Sequence, residues 1–291
     1  MGPIIDEFIE YLKNVKGAAD NTVQSYRRDL EKMAAHMAER GVKSVEDISE
    51  DRLMAYAAVL QEEHLKPVTV MRHYTSYKAF FRYLVENGNI QENPAENLKA
   101  PKVERKAPKA LSLHEVDALL NQDFGSDPKG IRDRAILELL YSTGLKTTEL
   151  VELKLENIDM SLNCLRFGEN RVIPYGSKTK DALNKYLLES RKTFLPDETE
   201  EMHVFLSYLG KPMSRQGLWK LIKNYFKKAG IDKDITPNML RNSFIMHLLE
   251  NGAESSSVLE MLGFSDKATL SRYTKKAAKP HDPYEWARLR N

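Results

Sequence analysis

Residues 92–112, ENPAENLKAPKVERKAPKALS, form a stretch without apolar periodicity, and this stretch limits the possible folds more than any other. It carries three prolines and a run of charged residues. Proline lacks a backbone N–H, so it cannot continue a helix or a central strand. The stretch predicts a basic linker at residues 101–110, between an N-terminal domain at 1–100 and a C-terminal domain at 111–291.

Four amphipathic segments account for the first hundred residues. In each, apolar residues recur every three or four positions, which is the spacing of one face of a helix. The four stripes are Ile4, Ile5, Phe8, Tyr11 and Leu12; Val23, Tyr26, Leu30, Met33 and Met37; Leu53, Tyr56 and Leu60; and Val70, Tyr74, Tyr77, Phe81 and Leu84. Asn21 is the predicted cap of the second helix. An all-helical domain with these stripes as its core is expected.

Basic residues offer candidate contacts to a phosphate backbone. Arg72, Lys78 and Arg82 lie off the apolar stripe of the fourth segment, as does His73. Further cations in or beside the linker are Lys102, Arg105, Lys106 and Lys109. The net charge of +2 does not by itself indicate a nucleic-acid-binding protein. A solvated helix face and a solvated linker would look the same, so both interpretations stay open.

The C-terminal part combines helical patterns with one predicted β-hairpin. The sequence SLHE, beginning at Ser112, fits a capping box, and Ile136, Leu139 and Leu140 mark the inward face of a helix. The segment CLRFGENRVIPYG has two short strand-like runs about a polar centre. The predicted fold class is therefore mainly α, with a helical N-terminal domain and a helical C-terminal domain that contains a small antiparallel sheet.

Composition argues against several kinds of site. Cys164 is the single cysteine, so no internal disulfide or thiolate metal cluster can form. The seven histidines show no metal-ligand spacing, and no metal or other cofactor is expected. Apolar runs are short and interrupted by charge, and no signal-peptide pattern is present, so a cytoplasmic location without membrane insertion is expected.

The stretch TPNMLRNSF begins a predicted helix with Arg241 and Asn238 on one face. A guanidinium in this position could hold two phosphate oxygens in fork geometry. The amide of Asn238 can donate a hydrogen bond but cannot accept and return a proton. Arg241 is either part of a phosphate pocket or an ordinary surface arginine.

Several motifs together resemble the tyrosine recombinases, especially the bacterial Xer type. They are NTVQSYRRDL, RDRAILELLYSTGLKTTELVELKLENID, TPNMLRNSFIMHLLENGA, EMLGFSD and SRYT, and they occur in the family's order from about Ile4 to Thr274. The resemblance implies a helical core-binding (SAM-like) domain and a catalytic domain that together clamp duplex DNA. It also implies tetrameric assembly, and a tyrosine that attacks a backbone phosphate without metal or nucleotide.

By this resemblance Tyr273 is the nucleophile, Arg241 the second arginine, and Lys146 stands where the first arginine is expected. Lysine keeps the charge but loses the bidentate fork. Glu149 matches an acidic residue that supports the first arginine; it would pair with Lys146 or cap a helix. His247 matches a histidine of structural kind.

Other positions depart from the family pattern. Asn238 replaces a histidine, and Phe264 replaces a histidine or tryptophan whose N–H would bond the phosphate. The hairpin is shorter by about three residues and carries Glu169 and Asn170 at its tip in place of a lysine. Arg171 is nearby, but a guanidinium stays protonated and is a poor general acid. Lys178 or Lys180, from the following turn, could substitute as the proton donor.

The degenerate set predicts a DNA-binding protein with weak or no strand cleavage and rejoining, acting as a homo-oligomer or beside an active recombinase. One alternative is an active DNA recombinase with a divergent site that uses Tyr273. Another is a protein-interaction module that has lost DNA binding. Prolines 280 and 283 exclude a long continuous tail helix, although Tyr284 and Trp286 could anchor a short docking segment.

Overall fold

The computed structural model describes residues 1–101, 108–195, 200–264 and 270–274. The chain divides into two compact units, Met1–Arg105 and Lys106–Asn291. The predicted linker cations Lys102, Arg105 and Lys106 lie outside the described residues, as do Tyr284 and Trp286 of the tail. Their predicted contacts therefore stay predictions.

The first unit is a bundle of four helices around one apolar core. Its helices are α1 (Gly2–Asn14), α2 (Asp20–Glu39), α3 (Glu50–Glu62) and α4 (Pro67–Glu86). The four predicted stripes supply the core, which includes the fully buried Phe8, Leu30 and Phe81. The Ser49 side chain caps α3 by accepting the Arg52 N–H. The predicted Asn21 cap is wrong, because α2 already begins at Asp20. The carboxylate of Asp20 is stabilised by the positive end of the helix dipole.

The polar side of α4 is less solvated than its sequence indicates. His73 is buried, and its Nδ1 lies 3.0 Å from the Tyr77 hydroxyl. Asp29 is also buried, and Arg72 Nη1 donates to it at 2.8 Å. A buried carboxylate needs such a partner, because desolvation of an unpaired charge is costly. The sequence left a DNA-facing and a solvated surface open for His73, and its burial contradicts both interpretations. Arg72 has a structural role in the bundle.

Two other cations of α4 differ in their surroundings. Lys78 Nζ donates to the Glu96 carbonyl at 3.0 Å, and the Arg82 side chain is exposed. The contacts of Arg72, Lys78 and Arg82 with a phosphate backbone stay predictions.

The second unit contains eight helices among its described residues. They are α5 (Leu113–Leu120), α6 (Pro128–Thr143), α7 (Thr147–Val151), α8 (Ser177–Lys185), α9 (Arg215–Lys228), α10 (Met239–Glu250), α11 (Ser255–Leu262) and α12 (Ser271–Thr274). The capping box at Ser112 is confirmed: its hydroxyl accepts the Glu115 N–H, and the Glu115 carboxylate accepts the Ser112 N–H. Apolar side chains all around α6, including Ile136, Leu139 and Leu140, are buried.

The predicted hairpin is present and belongs to a three-stranded antiparallel sheet. Its strands are β1 (Ile158–Asp159), β2 (Cys164–Phe167) and β3 (Arg171–Pro174), in the order β1-β2-β3. Leu165 and Ile173 face each other across β2 and β3 and are fully buried, which fixes the register of the hairpin. This register places Arg171 at the first position of β3, directly after the turn.

Two kinds of feature are absent from the described residues. None of their helices is long and apolar enough to cross a membrane. Within the same ranges, no group of three or more His, Cys, Asp or Glu side chains is arranged to hold a metal ion.

Candidate functional site

The guanidinium of Arg241 lies where three helices of the second unit meet. Its Nη1 donates to the carbonyl of Gly144, just after α6, at 2.5 Å, and its Nη2 donates to the carbonyl of Leu262, at the end of α11, at 3.1 Å. The ring of Phe264 lies 4.8 Å from the guanidinium carbon. Arg241 is 6% exposed, and this burial lowers its pKa. Arg241 is therefore not an ordinary surface arginine.

Glu149 is the carboxylate of this site. Its Oε2 accepts the backbone N–H of Lys146 at 2.8 Å, so it caps α7. Lys146 Nζ is 3.8 Å from Oε1 and half exposed, whereas Arg241 Nη1 is 3.9 Å from Oε2. Burial alone would raise the pKa of Glu149, but hydrogen bonds from Arg171 and from the Lys146 N–H bring it below its ordinary value. Glu149 is therefore an anion with cations on several sides.

Arg171 is the nearest cation to Glu149. Its Nη1 donates to Oε1 at 2.7 Å and its Nη2 to Oε2 at 3.4 Å, while its Nε donates to the carbonyl of Met261 at 2.9 Å. The guanidinium also lies 5.0 Å from the Phe167 ring. Sequence analysis considered Arg171 only as a proton donor. Its ion pair was missed because its partners lie 22 and 90 positions away.

Tyr273, on α12, is held by a second residue that sequence analysis missed. Its hydroxyl donates to Oδ1 of Asn242 at 2.9 Å, and Asn242 Nδ2 donates to the carbonyl of Lys109 at 2.9 Å. The Lys109 ammonium is paired with Asp234 at 2.6 Å. Burial raises the pKa of Tyr273, although Arg272 and Arg241 oppose this shift. The position of Asn242 directly after Arg241 was the available signal.

The remaining candidates are distributed around and beyond this cluster. Asn238 is exposed at the N-cap of α10 and makes no side-chain cap bond. Glu169 is exposed in the hairpin turn, and Lys178 lies in the first turn of α8. His247 is buried in α10, with its Nδ1 3.0 Å from the Tyr141 hydroxyl. The structure therefore brings together Lys146, Glu149, Arg171, Arg241, Phe264 and Tyr273.

This cluster has a positive charge balance. Among the residues that the structure describes, two guanidinium groups and one ammonium group surround the carboxylate of Glu149. Charge-assisted hydrogen bonds from guanidinium forks to phosphate oxygens are roughly twice as strong as hydrogen bonds between neutral groups. The arrangement is chemically suited to hold an oxyanion beside the Tyr273 hydroxyl.

Comparisons with known proteins cover both units. The phage integrase family model matches residues 109–279, and the model of the phage integrase N-terminal SAM-like domain matches residues 5–88. A protein of Caldanaerobacter subterraneus, named provisionally as a tyrosine recombinase, is 40% identical over 90% of this chain and 89% of its own length. The tyrosine recombinase XerD of Listeria innocua is 36% identical over 94% of each chain.

Solved structures share the fold at lower identity. The integrase of transposon Tn1549, solved with circular intermediate DNA, is 19% identical, with a TM-score of 0.71 over 99% of this chain and 98% of that chain. A lambda integrase dimer bound to a core site is 18% identical, with a TM-score of 0.69 over 97% and 98% of the two chains.

Proposed function

The chain belongs to the phage integrase family of Xer-like tyrosine recombinases, and from this we propose that it binds duplex DNA, with strand cleavage and rejoining weak or absent. Relatives of similar fold were solved in complex with DNA. In this proposal a DNA phosphate occupies the site beside Arg241 and Lys146. The protein acts as a homo-oligomer or in an assembly with an active recombinase.

DNA binding is supported by the excess of positive charge around Glu149 among the described residues. A carboxylate shared by Arg171 and Arg241 neutralises only one of their two charges. Lys146 adds a third cation, whose side chain is half exposed and whose Nζ lies 3.8 Å from Glu149. A phosphate diester would complete this charge balance and would accept hydrogen bonds from the same groups.

We infer weak or absent cleavage from the groups that surround the phenol of Tyr273. Cleavage needs the Tyr273 proton to leave and the departing oxygen to gain a proton. The Tyr273 hydroxyl donates to an amide oxygen of Asn242, which is not a base near neutral pH. Asn238 and Phe264 also lack a titratable group. Each missing general acid or base typically lowers a rate by about 10²- to 10⁴-fold, so the combination argues against useful turnover.

A trapping experiment tests this proposal. The protein is incubated with a pool of duplexes that carry a single nick within randomised flanking sequence. Any cleavage then releases a short fragment and leaves the protein covalently bound to the DNA. We expect no adduct that survives denaturing electrophoresis, either for the wild type or for the control Tyr273→Phe. An adduct formed by the wild type and lost in Tyr273→Phe would show that the enzyme is active.

The second candidate function is an active recombinase with a divergent site. It is favoured by one observation: burial raises the pKa of Tyr273, but the nearby cations of Arg272 and Arg241 oppose that rise. In that case Arg241→Ala should abolish adduct formation in the same assay. The assay therefore separates the two candidates.

A further inference from the structure

We infer that Arg171 is the second guanidinium of the phosphate site, in the role for which the sequence offers only Lys146. This inference deepens the proposed function and rests on it. It assigns a DNA-contacting role to the first residue of β3, which the sequence alone presented as a poor proton donor. The ligand class is a phosphate oxyanion.

The two guanidinium groups of Arg171 and Arg241 share a common support. Arg171 Nε binds the carbonyl of Met261, and Arg241 Nη2 binds the carbonyl of Leu262. The acceptors are consecutive residues at the end of α11, where the helix dipole is negative and favours cations. Both arginines also approach Glu149, at 2.7 and 3.9 Å. The side chains are therefore held next to each other by the same two elements.

Arg171 also has hydrogen-bonding capacity left for a ligand. A guanidinium has five N–H groups, and the three bonds of Arg171 to Met261 and Glu149 leave two of them without an acceptor among the described residues. The Arg171 side chain is 17% exposed, compared with 6% for Arg241, so it is the more accessible of the two. The ammonium of Lys146 can supply charge but no planar fork.

The short hairpin sets the position of Arg171. The β2–β3 turn contains Gly168, Glu169 and Asn170, and Arg171 pairs with Phe167 directly next to this turn. The Phe167 ring lies 5.0 Å from the guanidinium and restricts its position. The short turn therefore places Arg171 beside Phe167, and from this position its guanidinium contacts Glu149.

The test compares inorganic phosphate with chloride at equal ionic strength and measures the midpoint of thermal unfolding. Phosphate should raise the midpoint of the wild type. In Arg171→Gln the dissociation constant for phosphate should rise by about tenfold or more, because a charged hydrogen-bond donor is lost. Arg134→Gln is the matched control: Arg134 is exposed on α6, ten positions before Gly144 and about 15 Å along the helix axis.

An equal phosphate effect in the wild type and in Arg171→Gln would overturn the inference, as would no effect in the wild type. Should Arg171→Gln fail to fold, Arg171→Lys keeps the charge without the fork, and the same tenfold weakening is expected of it. Duplex DNA provides the second arm, in which Arg171→Gln should reduce the slope of log affinity against log salt by about one. Phosphate binding that depends on Arg171, without any DNA binding, would support the inference and contradict the proposed function.

Discussion

Glu149 is the residue whose surroundings decide the chemistry of the site. It accepts hydrogen bonds from Arg171 and from the Lys146 backbone while it is largely buried. Because its folded-state pKa lies below the ordinary value, the unfolded state takes up a proton first as the pH falls. The stabilisation by Glu149 is therefore present above about pH 4.5 and is lost as the pH falls through the folded-state pKa.

The lowered pKa of Glu149 predicts how the stability of a Glu149 variant should depend on pH. Glu149→Gln should lower the free energy of unfolding by about 2 kcal/mol at pH 7, since it removes a charged acceptor of several hydrogen bonds. The difference from the wild type should shrink below pH 4.5. Urea denaturation at a series of pH values measures it, and Glu250→Gln, at an exposed carboxylate, is the control. A difference that stays constant down to pH 3 would contradict the role assigned to Glu149.

At the residue scale the sequence indicated which positions come together better than it indicated their contacts, and the roles assigned to these positions stay predictions. Arg241 and Tyr273 do lie at one site, and His247 is buried as a structural histidine would be. The pairing of Arg171 with Glu149 and the bond from Tyr273 to Asn242 were missed. Both join residues distant in the chain, and local periodicity carries no information about such contacts.

Among the elements, the end of α6 restricts the residue type at one position most strictly. Gly144 has a φ of 60°, in the left-handed region, and its carbonyl accepts the Arg241 Nη1–H. A Cβ at this position would lie 2.4 Å from Cδ1 of Phe244 and 3.0 Å from Cδ2 of Leu262. The turn after α6 therefore has room for glycine alone, and it determines where one acceptor of Arg241 lies.

Gly144→Ala is accordingly predicted to lower the free energy of unfolding by about 3 kcal/mol, from left-handed strain and overpacking together. Gly168→Ala in the hairpin is the matched control, because Gly168 has a similar φ of 61° but nothing within 4 Å of the added Cβ. It should cost only about 1–2 kcal/mol. Chemical denaturation of both variants measures the difference, and equal losses would mean that packing around Gly144 adjusts without cost.

Most elements could be predicted because their signals are local. The Ser112 capping box, the stripes of the first four helices and the hairpin all follow from short-range patterns. The start of α2 was misplaced because Asn21 and Asp20 offer competing signals within one turn. The buried position of His73 was missed because Asp29, one of its neighbours, comes from another helix.

For the whole molecule, the proposed function predicts a steep salt dependence. If about four phosphates are neutralised, the dissociation constant for duplex DNA should rise about a hundredfold between 50 and 200 mM salt. Fluorescence anisotropy with a labelled duplex measures it. Arg82→Gln, at an exposed cation of α4, should flatten the slope by about one unit if Arg82 contacts DNA. Absent or salt-independent binding would instead favour a protein-interaction module.

The shared support at the end of α11 limits how sequences of this kind can change. Arg171 and Arg241 rest on consecutive carbonyls of an eight-residue helix. One inserted residue would turn those carbonyls by about 100° and would release both arginines at once. Substitutions on the surface of α11 should therefore be tolerated in evolution, whereas a chain that keeps both arginines should keep the length of this helix unchanged.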